Sequence, residues 1–245
     1  MKILVCITHV PDTTSKIAFT NSNTEFDKTG VQYVIGAYDD YALARAVELK
    51  EQLGATVTAI NVGLVDSEPT LRKALAIGAD DAIRVNSEPI DSFFVASQIA
   101  KVVKDGGYDL VLMGRESTDF NGGMVHGMVG EILGMPSLSP VMKLDIDGST
   151  AKLAREIEGG KEHLEVSLPL IAGCQEPIAE WRIPNMRGIM TARSKPLNVV
   201  EPTDDAVRTK IDSYELPPEK GAVKMIDADN VGELVKLLKE EAKVL

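Results

Sequence analysis

The chain has 245 residues and a formal net charge of −11 at pH 7. This length is enough to bury a sizeable core, and this acidity excludes a general role in binding nucleic acid. No apolar run approaches the about 20 residues that cross a bilayer, and Lys2 leads directly into ILVCI, which is too short for a signal peptide. We therefore expect a cytoplasmic protein with no direct membrane insertion.

Short apolar runs alternate with segments of helical periodicity through the first half of the chain. Strands are predicted at 3–7, 55–62, 81–85 and 110–113, and helices at 38–52, 68–77, 92–104 and 124–133. Such alternation is typical of a mostly parallel sheet with helices on both faces. The first half therefore predicts an α/β fold.

The pattern changes after the fourth predicted helix. Runs at 142–146 and 152–157 are typical of a hairpin, and runs at 162–168 and 170–174 predict further strands. We expect these elements to add antiparallel strands to the sheet.

A polar, proline-bearing linker follows the late strands. The predicted boundary separates a main domain, 1–198, from an extended linker and helix, 199–245. Within the second part, 221–226 is expected to be an edge strand and 230–242 an amphipathic helix. A helix beyond a long linker is poorly placed to join the main core, so we expect it to reach a partner.

Residues 109–136, DLVLMGRESTDFNGGMVHGMVGEILGMP, place a strand, a small polar loop and a helix start in that order. Unpaired backbone N–H groups and the helix dipole at such a start suit an anion such as phosphate. Gly114, Gly122 and Gly123 permit close backbone approach. An ordinary capped turn remains the alternative, because the loop matches neither nucleotide fingerprint in full.

The side chains of this loop suit a nucleotide. Ser117, Thr118 and Asn121 are suited to hydrogen-bond a phosphate and its ribose. Asp119 would repel a phosphate that it faced directly, so we expect it to cap the loop or bond ribose hydroxyls. Ligands of open α/β sheets sit outside the carboxyl ends of the strands, which brings this loop together with those after Ile7 and Val62 and before Tyr38.

A late segment, EPIAEWRIPNMRGIMTARSKP, carries apolar side chains on a basic, irregular background. Met186, Ile189 and Met190 lie beside Arg182 and Arg187. Apolar residues in such a loop either pack on their own domain or dock a partner. In so acidic a chain, the arginines better fit docking of an acidic partner than a solvated face.

The sequence offers no recognisable catalytic or metal-binding framework. His9 and His126 are candidate acid or base residues, but neither lies near a Ser or Cys nucleophile motif. Glu162, His163 and Glu165 cluster in sequence, yet strand alternation places His163 opposite the two acids. We therefore predict no catalytic residue and no metal site.

Six segments, in order and along essentially the whole chain, resemble the beta subunit of the electron transfer flavoprotein family. They are KILVCITHVPD, ALARAVELKEQLGATVTAINVG, TLRKALAIGADDAIRV, DLVLMGRESTDFNGGMV, REIEGGKEHLEVSLP and IMTARSKPL. The resemblance implies an α/β domain of the adenine-nucleotide-binding type in a heterodimer with an alpha subunit that holds most of an FAD site. It also implies an electron carrier subunit that is not itself an enzyme. Primary flavin dehydrogenases of the acyl-CoA dehydrogenase type would be the donors, and a quinone oxidoreductase leading to the respiratory chain the acceptor.

The resemblance, with the loop chemistry above, gives a set of candidate cofactor-binding residues. They are Cys6, Gly36, Ala37, Tyr38, Asp39, Val62, Gly114, Ser117, Thr118, Asp119, Asn121, Gly122, Gly123, Met124 and Val125. It implies that Tyr38 approaches the FAD ring, that Met186 is an apolar anchor for dehydrogenases, and that Glu162 contacts the mobile flavin domain. The candidate docking residues are Glu162, Arg182, Met186, Arg187, Ile189 and Met190.

The family's nucleotide motifs are only partly present. Members that bind AMP commonly carry Asn-Gln-Thr where this chain has Gly123, Met124 and Val125. Electron-bifurcating members, which bind a second FAD, commonly carry Asp-Gly-Asp-Thr-Ala-Gln-Val-Gly-Pro, matched here only at Asp119 and Val125. We expect AMP, held largely by backbone N–H groups. A second FAD and a nucleotide-binding regulatory module without a partner arm are the alternatives.

Overall fold

A computed structural model of the chain describes residues 1–205, 207–219 and 221–245. The strands are β1 (Lys2–Cys6), β2 (His9–Pro11), β3 (Phe19–Thr20), β4 (Glu25–Phe26), β5 (Tyr33–Ile35), β6 (Thr56–Val62), β7 (Asp81–Val85), β8 (Leu110–Gly114), β9 (Ser137–Asp147), β10 (Thr150–Ile157), β11 (Gly160–Ser167), β12 (Leu170–Cys174) and β13 (Leu197–Val200). The helices are α1 (Ala37–Leu53), α2 (Glu68–Ile77), α3 (Ser92–Gly106), α4 (Val125–Leu133), α5 (Met186–Ala192) and α6 (Val231–Glu240).

One large sheet organises the described part of the chain, in the order β11-β10-β9-β12-β8-β1-β6-β7-β13. The strands from β9 to β13 in this order are parallel to their neighbours. At the other edge, β10 and β11 run antiparallel. The predicted α/β fold, with a mostly parallel sheet and added antiparallel strands, is confirmed.

Helices cover both faces of the sheet, as β1 shows. Ile3 and Val5 join the core cluster that contains residues of α1 and α2, whereas Leu4 and Cys6 join the cluster that contains residues of α3 and α4. Successive side chains of a strand point to opposite faces. Because β1 is buried on both faces, its sequence is a continuous apolar run.

Two expectations for the second half of the chain are wrong. Strand β12 was expected among the antiparallel additions, but it runs parallel to both β8 and β9. The segment 221–226 was expected to be an edge strand, but it has no regular secondary structure. Its Val223 and Met225 are 79% and 85% exposed, so this segment buries too little apolar surface to hold a strand in place.

The C-terminal region begins with a strand and ends with an exposed helix. Strand β13 crosses the predicted boundary at 198 and pairs with β7 at the sheet edge. The following polar segment contacts α3 and the β3–β4 hairpin, so it is held to the main domain over part of its length. Helix α6 has no buried residue. No described helix is long and apolar enough to cross a membrane.

Candidate functional site

A cavity of about 830 Å³ opens at the carboxyl ends of β1, β6 and β8. Cys6 and Met113 form part of its floor and are 7% and 4% exposed. Burial, with Asp39 nearby, raises the pKa of the Cys6 thiol, so this side chain is a small neutral part of the wall. The cavity lies where ligands of open α/β sheets bind.

The apolar part of the wall comes from both sides of the cavity. Ile60 and Val62 belong to β6, Val95 and Ile99 to α3, and Val125 to the start of α4. Apolar side chains that line a cavity suit an aromatic base.

The start of α4 lacks a side-chain cap. Its N-cap residue is Met124, which makes no side-chain capping bond, whereas α3 begins at Asp91, whose carboxylate accepts the N–H of Phe94 at 2.7 Å. The first N–H groups of a helix have no partner within that helix. An uncapped start beside a cavity therefore offers N–H donors and the positive end of a dipole to an anion.

The loop before α4 is closed on itself. The Ser117 N–H donates to the carbonyl of Gly122 at 3.2 Å, and Asn121 adopts a left-handed φ of 50°. Asp119 accepts the Ser117 hydroxyl and the N–H of Phe120, the latter at 2.8 Å. The carboxylate of Asp119 thus caps the loop, one of the two roles expected for it.

Asp39 joins three elements at the cavity floor. Its carboxylate accepts the Thr8 N–H at 2.8 Å, the Thr8 hydroxyl at 2.5 Å and the Gly114 N–H at 2.7 Å. Burial raises the pKa of Asp39 to about 6, although these hydrogen bonds oppose the shift. A Cβ on Gly114 would lie 2.7 Å from Asp39 Oδ1, so glycine is needed there for a reason of packing.

Gly36, at the N-cap of α1, is equally tightly enclosed. A Cβ there would overlap the Thr8 hydroxyl and lie 2.8 Å from Asp39 Oδ2. Gly36 therefore leaves room for the hydrogen bonds between Thr8 and Asp39. It is not one of the residues that line the cavity.

Tyr38 also lies outside the cavity lining. It is half-buried, and the guanidinium of Arg115 lies 4.7 Å from the centre of its ring. Arg115 in turn donates to Gln175 Oε1 at 3.0 Å. The ring is therefore held in a polar network beside the loop, on the side of β12.

The structure brings together part of the predicted set of cofactor residues. Those that line the cavity are Cys6, Asp39, Val62, Gly114, Ser117, Thr118, Asp119, Gly122 and Val125. Those that lie outside its lining are Gly36, Ala37, Tyr38, Asn121, Gly123 and Met124.

Asn61 is a lining residue that the sequence reasoning missed. Its Nδ2 donates to the carbonyl of Ile7 at 2.8 Å, and its Oδ1 is buried without a partner among the described residues. A Cβ on Gly63 would overlap this oxygen. A polar amide inside the apolar run AINV was the available signal. An unpartnered acceptor in the wall fits a ligand that brings a donor.

Both candidate histidines lie at the cavity, in structural roles. His9 stacks on Tyr33 with ring centres 4.3 Å apart, and its Nδ1 lies 2.8 Å from the Thr70 hydroxyl. His126 Nδ1 lies 3.4 Å from Ser137 Oγ, but that hydroxyl donates to the His126 carbonyl at 3.0 Å. Burial lowers the pKa of both histidines. Neither geometry activates a nucleophile.

The candidate docking residues of the late segment lie on and before α5. Met186 is 74% exposed, Met190 is 70% exposed, and Ile189 is also exposed. The Asn185 side chain caps the helix by accepting the Gly188 N–H at 2.8 Å. The segment expected to be irregular thus contains a short helix that holds its apolar side chains in solvent.

Two charged docking candidates already have partners within the chain. Arg182 donates to both carboxylate oxygens of Glu51, at 2.7 and 2.9 Å. Arg155 Nε donates to Glu162 at 2.6 Å across β10 and β11. Arg187 is exposed on α5. The charge available for docking at α5 therefore includes Arg187, whereas Arg182 is neutralised by Glu51.

Comparison with known proteins identifies the family. The electron transfer flavoprotein domain matches residues 24–205. The chain is 35% identical over 260 residues to the electron transfer flavoprotein subunit beta of Bacillus subtilis, covering 100% of both chains. It is 32% identical over 249 residues to that of Syntrophomonas wolfei, with 100% of this chain and 98% of the relative covered. It is 29% identical over 254 residues to that of Homo sapiens, with 100% and 99% covered.

The fold, the domain match and these relatives together define the class: the chain belongs to the electron transfer flavoprotein family, among its beta subunits. Membership implies a role in electron transport, a flavin in the assembled protein and an alpha-subunit partner.

Proposed function

We propose that this chain pairs with an alpha subunit in an electron transfer flavoprotein and binds AMP in the cavity at the strand ends. FAD, held mainly by the alpha subunit, supplies the redox chemistry. The dimer takes electrons from primary flavin dehydrogenases of the acyl-CoA dehydrogenase type and passes them toward a quinone oxidoreductase and the respiratory chain. The main support for nucleotide binding is the uncapped start of α4, which lies on this cavity.

The residues around the cavity fit a nucleotide. The N–H groups at the start of α4 would hold the phosphate, and Ser117 and Thr118 are suited to the ribose. Val62 and Val125 would contact the base, and Asn61 Oδ1 would accept a hydrogen bond from an amino group. In this proposal the chain binds and orients the nucleotide, and its side chains perform no acid or base catalysis.

The charges around the cavity favour one phosphate over two. Its lining carries two cations, Lys28 and Arg115, and Arg115 pairs with Glu116. Six carboxylates outnumber them, those of Asp12, Asp39, Asp66, Glu88, Glu116 and Asp119. Because carboxylates repel phosphate, an anion is accommodated best where the α4 dipole opposes that repulsion. One such helix start suits a nucleoside monophosphate.

A second FAD is the alternative nucleotide, and the cavity volume favours it. About 830 Å³ lies in the upper part of the range for ligand sites, which run from roughly 300 to 1,000 Å³. The acidic lining weighs against the diphosphate of FAD. A partner-free regulatory module is the other alternative, and the exposed helix α6 weighs against it.

Coexpression with a candidate alpha subunit tests the assignment. We expect the two chains to copurify with a visible flavin spectrum that donor dehydrogenases bleach. A colourless chain that purifies alone from such cells would favour the regulatory module.

Docking of the donor is proposed to use α5. Its exposed Met186 and Met190 stand on a helix that approaches α2 closely, since a Cβ on Gly188 would overlap the carbonyl of Ala76. The helix is therefore positioned by the main domain, and its methionines suit an adaptable apolar contact.

Met186→Ala in the assembled dimer tests this surface. We expect a several-fold higher KM for the donor dehydrogenase with unchanged kcat and FAD content, because the lost contact acts mainly on dissociation. Met225→Ala is the matched control, since Met225 is 85% exposed and lies outside α5. Donor kinetics that are the same in both variants would contradict the anchor role.

Residues 199–245 are proposed to form an arm whose last helix reaches the alpha subunit. Val231, Leu234 and Val235 are exposed on α6, so the described residues leave its apolar side uncovered. Leu234→Asp should lower the yield of copurified alpha subunit, whereas Val223→Asp, outside the helix, should not. Equal yields would place the interface elsewhere.

A further inference from the structure

The polar segment between β13 and α6 is fastened to the main domain near the cavity. We define the strap as residues 203–205 and 207–214. Its first fastening is Gln98 of α3, which is 2% exposed. The Gln98 Oε1 accepts the Thr203 N–H at 2.8 Å, and its Nε2 donates to Asp205 at 3.3 Å.

The second fastening is the start of α3. Asp91 caps this helix with one oxygen and, with the other, accepts the N–H groups of Arg208 at 2.5 Å and Thr209 at 2.7 Å. The Arg208 guanidinium lies 4.7 Å from the centre of the Phe93 ring. One carboxylate therefore joins the strap to α3.

The third fastening is the β3–β4 hairpin. Tyr214 stacks on Phe19, with ring centres 4.7 Å apart and planes 10° apart. The Tyr214 N–H donates to the carbonyl of Asn23 at 2.7 Å. The strap thus runs from α3 to the hairpin.

Between these fastenings, the strap forms part of the cavity wall. Ile211 and Tyr214 line the cavity, opposite its floor, together with Phe19 and Phe26 of the hairpin. Ile211 is 49% exposed, whereas Cys6 on the floor is 7% exposed. The strap therefore lies on the solvent side, where a ligand would enter or leave.

We propose that the strap closes the cavity over its ligand and that Tyr214, stacked on Phe19, controls how fast the ligand leaves. This rests on the proposed nucleotide site. The fastenings are a few hydrogen bonds and ring contacts. Those to Asp91 are at the surface, so this end of the strap can open while the sheet stays folded. The ligand then leaves only from the open state.

Release of AMP from the assembled dimer tests the proposal. Dimer loaded with radiolabelled AMP is mixed with excess unlabelled AMP, and the bound label is followed. We expect roughly tenfold faster release from Tyr214→Ala, since it loses a stacked pair and its buried area. Tyr214→Phe keeps the ring and should release AMP at the wild-type rate.

A double-mutant cycle shows whether the ring pair is responsible. Phe19→Ala should speed release as Tyr214→Ala does, and the double variant should release AMP little faster than either single variant. Fully additive effects would show that the two rings act independently, which contradicts a strap held by their stacking.

Trypsin gives a readout that does not depend on the release rate. The strap contains cleavage sites after Arg208 and Lys210, and Lys236 and Lys239 of α6 serve as internal controls. We expect bound AMP to slow cleavage in the strap, and Tyr214→Ala to speed it, with the α6 sites unchanged. If neither AMP nor the Tyr214→Ala substitution changes the rate of cleavage in the strap, the proposal is overturned.

The two proposals fail in different ways. If the dimer contains AMP but Tyr214→Ala releases it at the wild-type rate, the strap is wrong and the AMP site stands. If mass spectrometry finds no nucleotide other than one FAD in the wild-type dimer, the AMP site fails, and the strap has no ligand to hold.

Discussion

Helices α3 and α4 both follow a parallel strand on the same face of the sheet, yet they begin differently. Helix α3 starts from Asp91, whose carboxylate caps the helix and fastens the strap. Helix α4 starts from Met124 with no side-chain cap, on the wall of the cavity. From this difference we propose that the first start stabilises the fold, whereas the second keeps its N–H donors for a ligand.

The start of α1 adds a third case to the comparison. It gives the largest expected effect, which is on the pH dependence of stability. Asp39 is buried there with its pKa raised to about 6, whereas backbone N–H donors outweigh burial and lower the pKa of Asp91. The folded protein holds the Asp39 proton more tightly than the unfolded chain does. The contribution of Asp39 to stability should therefore fall by roughly 3 kcal/mol as the pH rises from about 4 to about 6, and level off above.

Asp39→Asn should remove this slope, which thermal unfolding of the dimer across that pH range would measure. Asp91→Asn is the control of opposite sign, because a lowered pKa gives stability that is lost as the pH falls through it. A wild-type slope retained in Asp39→Asn would assign it to other groups.

The next largest effect comes from giving α4 the cap that it lacks. Met124→Asp should place a carboxylate beside the N–H groups proposed to bind the phosphate. There it can cap the helix start, at a gain of about 1 kcal/mol, and compete with the anion. We expect AMP to bind at least roughly tenfold more weakly, measured by nucleotide content after dialysis. Met124→Ala should keep its AMP, and an Asp variant that also does so would break the contrast between the two starts.

The reverse change removes the cap of α3. Asp91→Ala should cost about 1 kcal/mol, and lower Tm by roughly 2 to 4 °C for a chain of this size. With AMP in excess, the variant should still bind one AMP per dimer, because Asp91 does not line the cavity. Release of that AMP should be faster than in wild type, because Asp91 also fastens the strap. Loss of AMP with unchanged Tm would reverse the assigned roles.

The smallest effect is expected from the two histidines at the cavity. His9→Ala and His126→Ala, made singly, should leave electron transfer within about tenfold of wild type, a shift of at most roughly 1.4 kcal/mol. Stopped-flow reduction by a donor dehydrogenase measures this. A loss of several orders of magnitude in folded protein would mean that the site performs proton chemistry.

The sequence predicted well those elements whose signals are local. Helix α2 and strand β7 begin and end where periodicity and the flanking glycine place them. The direction of β12 is not local, because a short apolar run buried on both faces looks the same whether its neighbours are parallel or antiparallel. Its place between β8 and β9 depends on pairing across the whole sheet.

The candidate site likewise has one part with a local sequence signal and another that depends on long-range contacts. The loop at 117–122 and the start of α4 were visible as a motif, whereas Asn61 is held by the carbonyl of Ile7, 54 residues away. The strap falls in the segment expected to be an extended linker, and its partners Asp91 and Gln98 are more than 100 residues distant in sequence. Fastenings of this kind leave no periodic pattern.

The most direct test of the contrast between the two helix starts is the nucleotide content of the assembled dimer. Acid releases the bound nucleotides, and mass spectrometry identifies and counts them. One FAD and one AMP per dimer is the predicted result. One FAD with no other nucleotide would contradict it, and so would two FAD without AMP, which would assign the cavity to a second flavin.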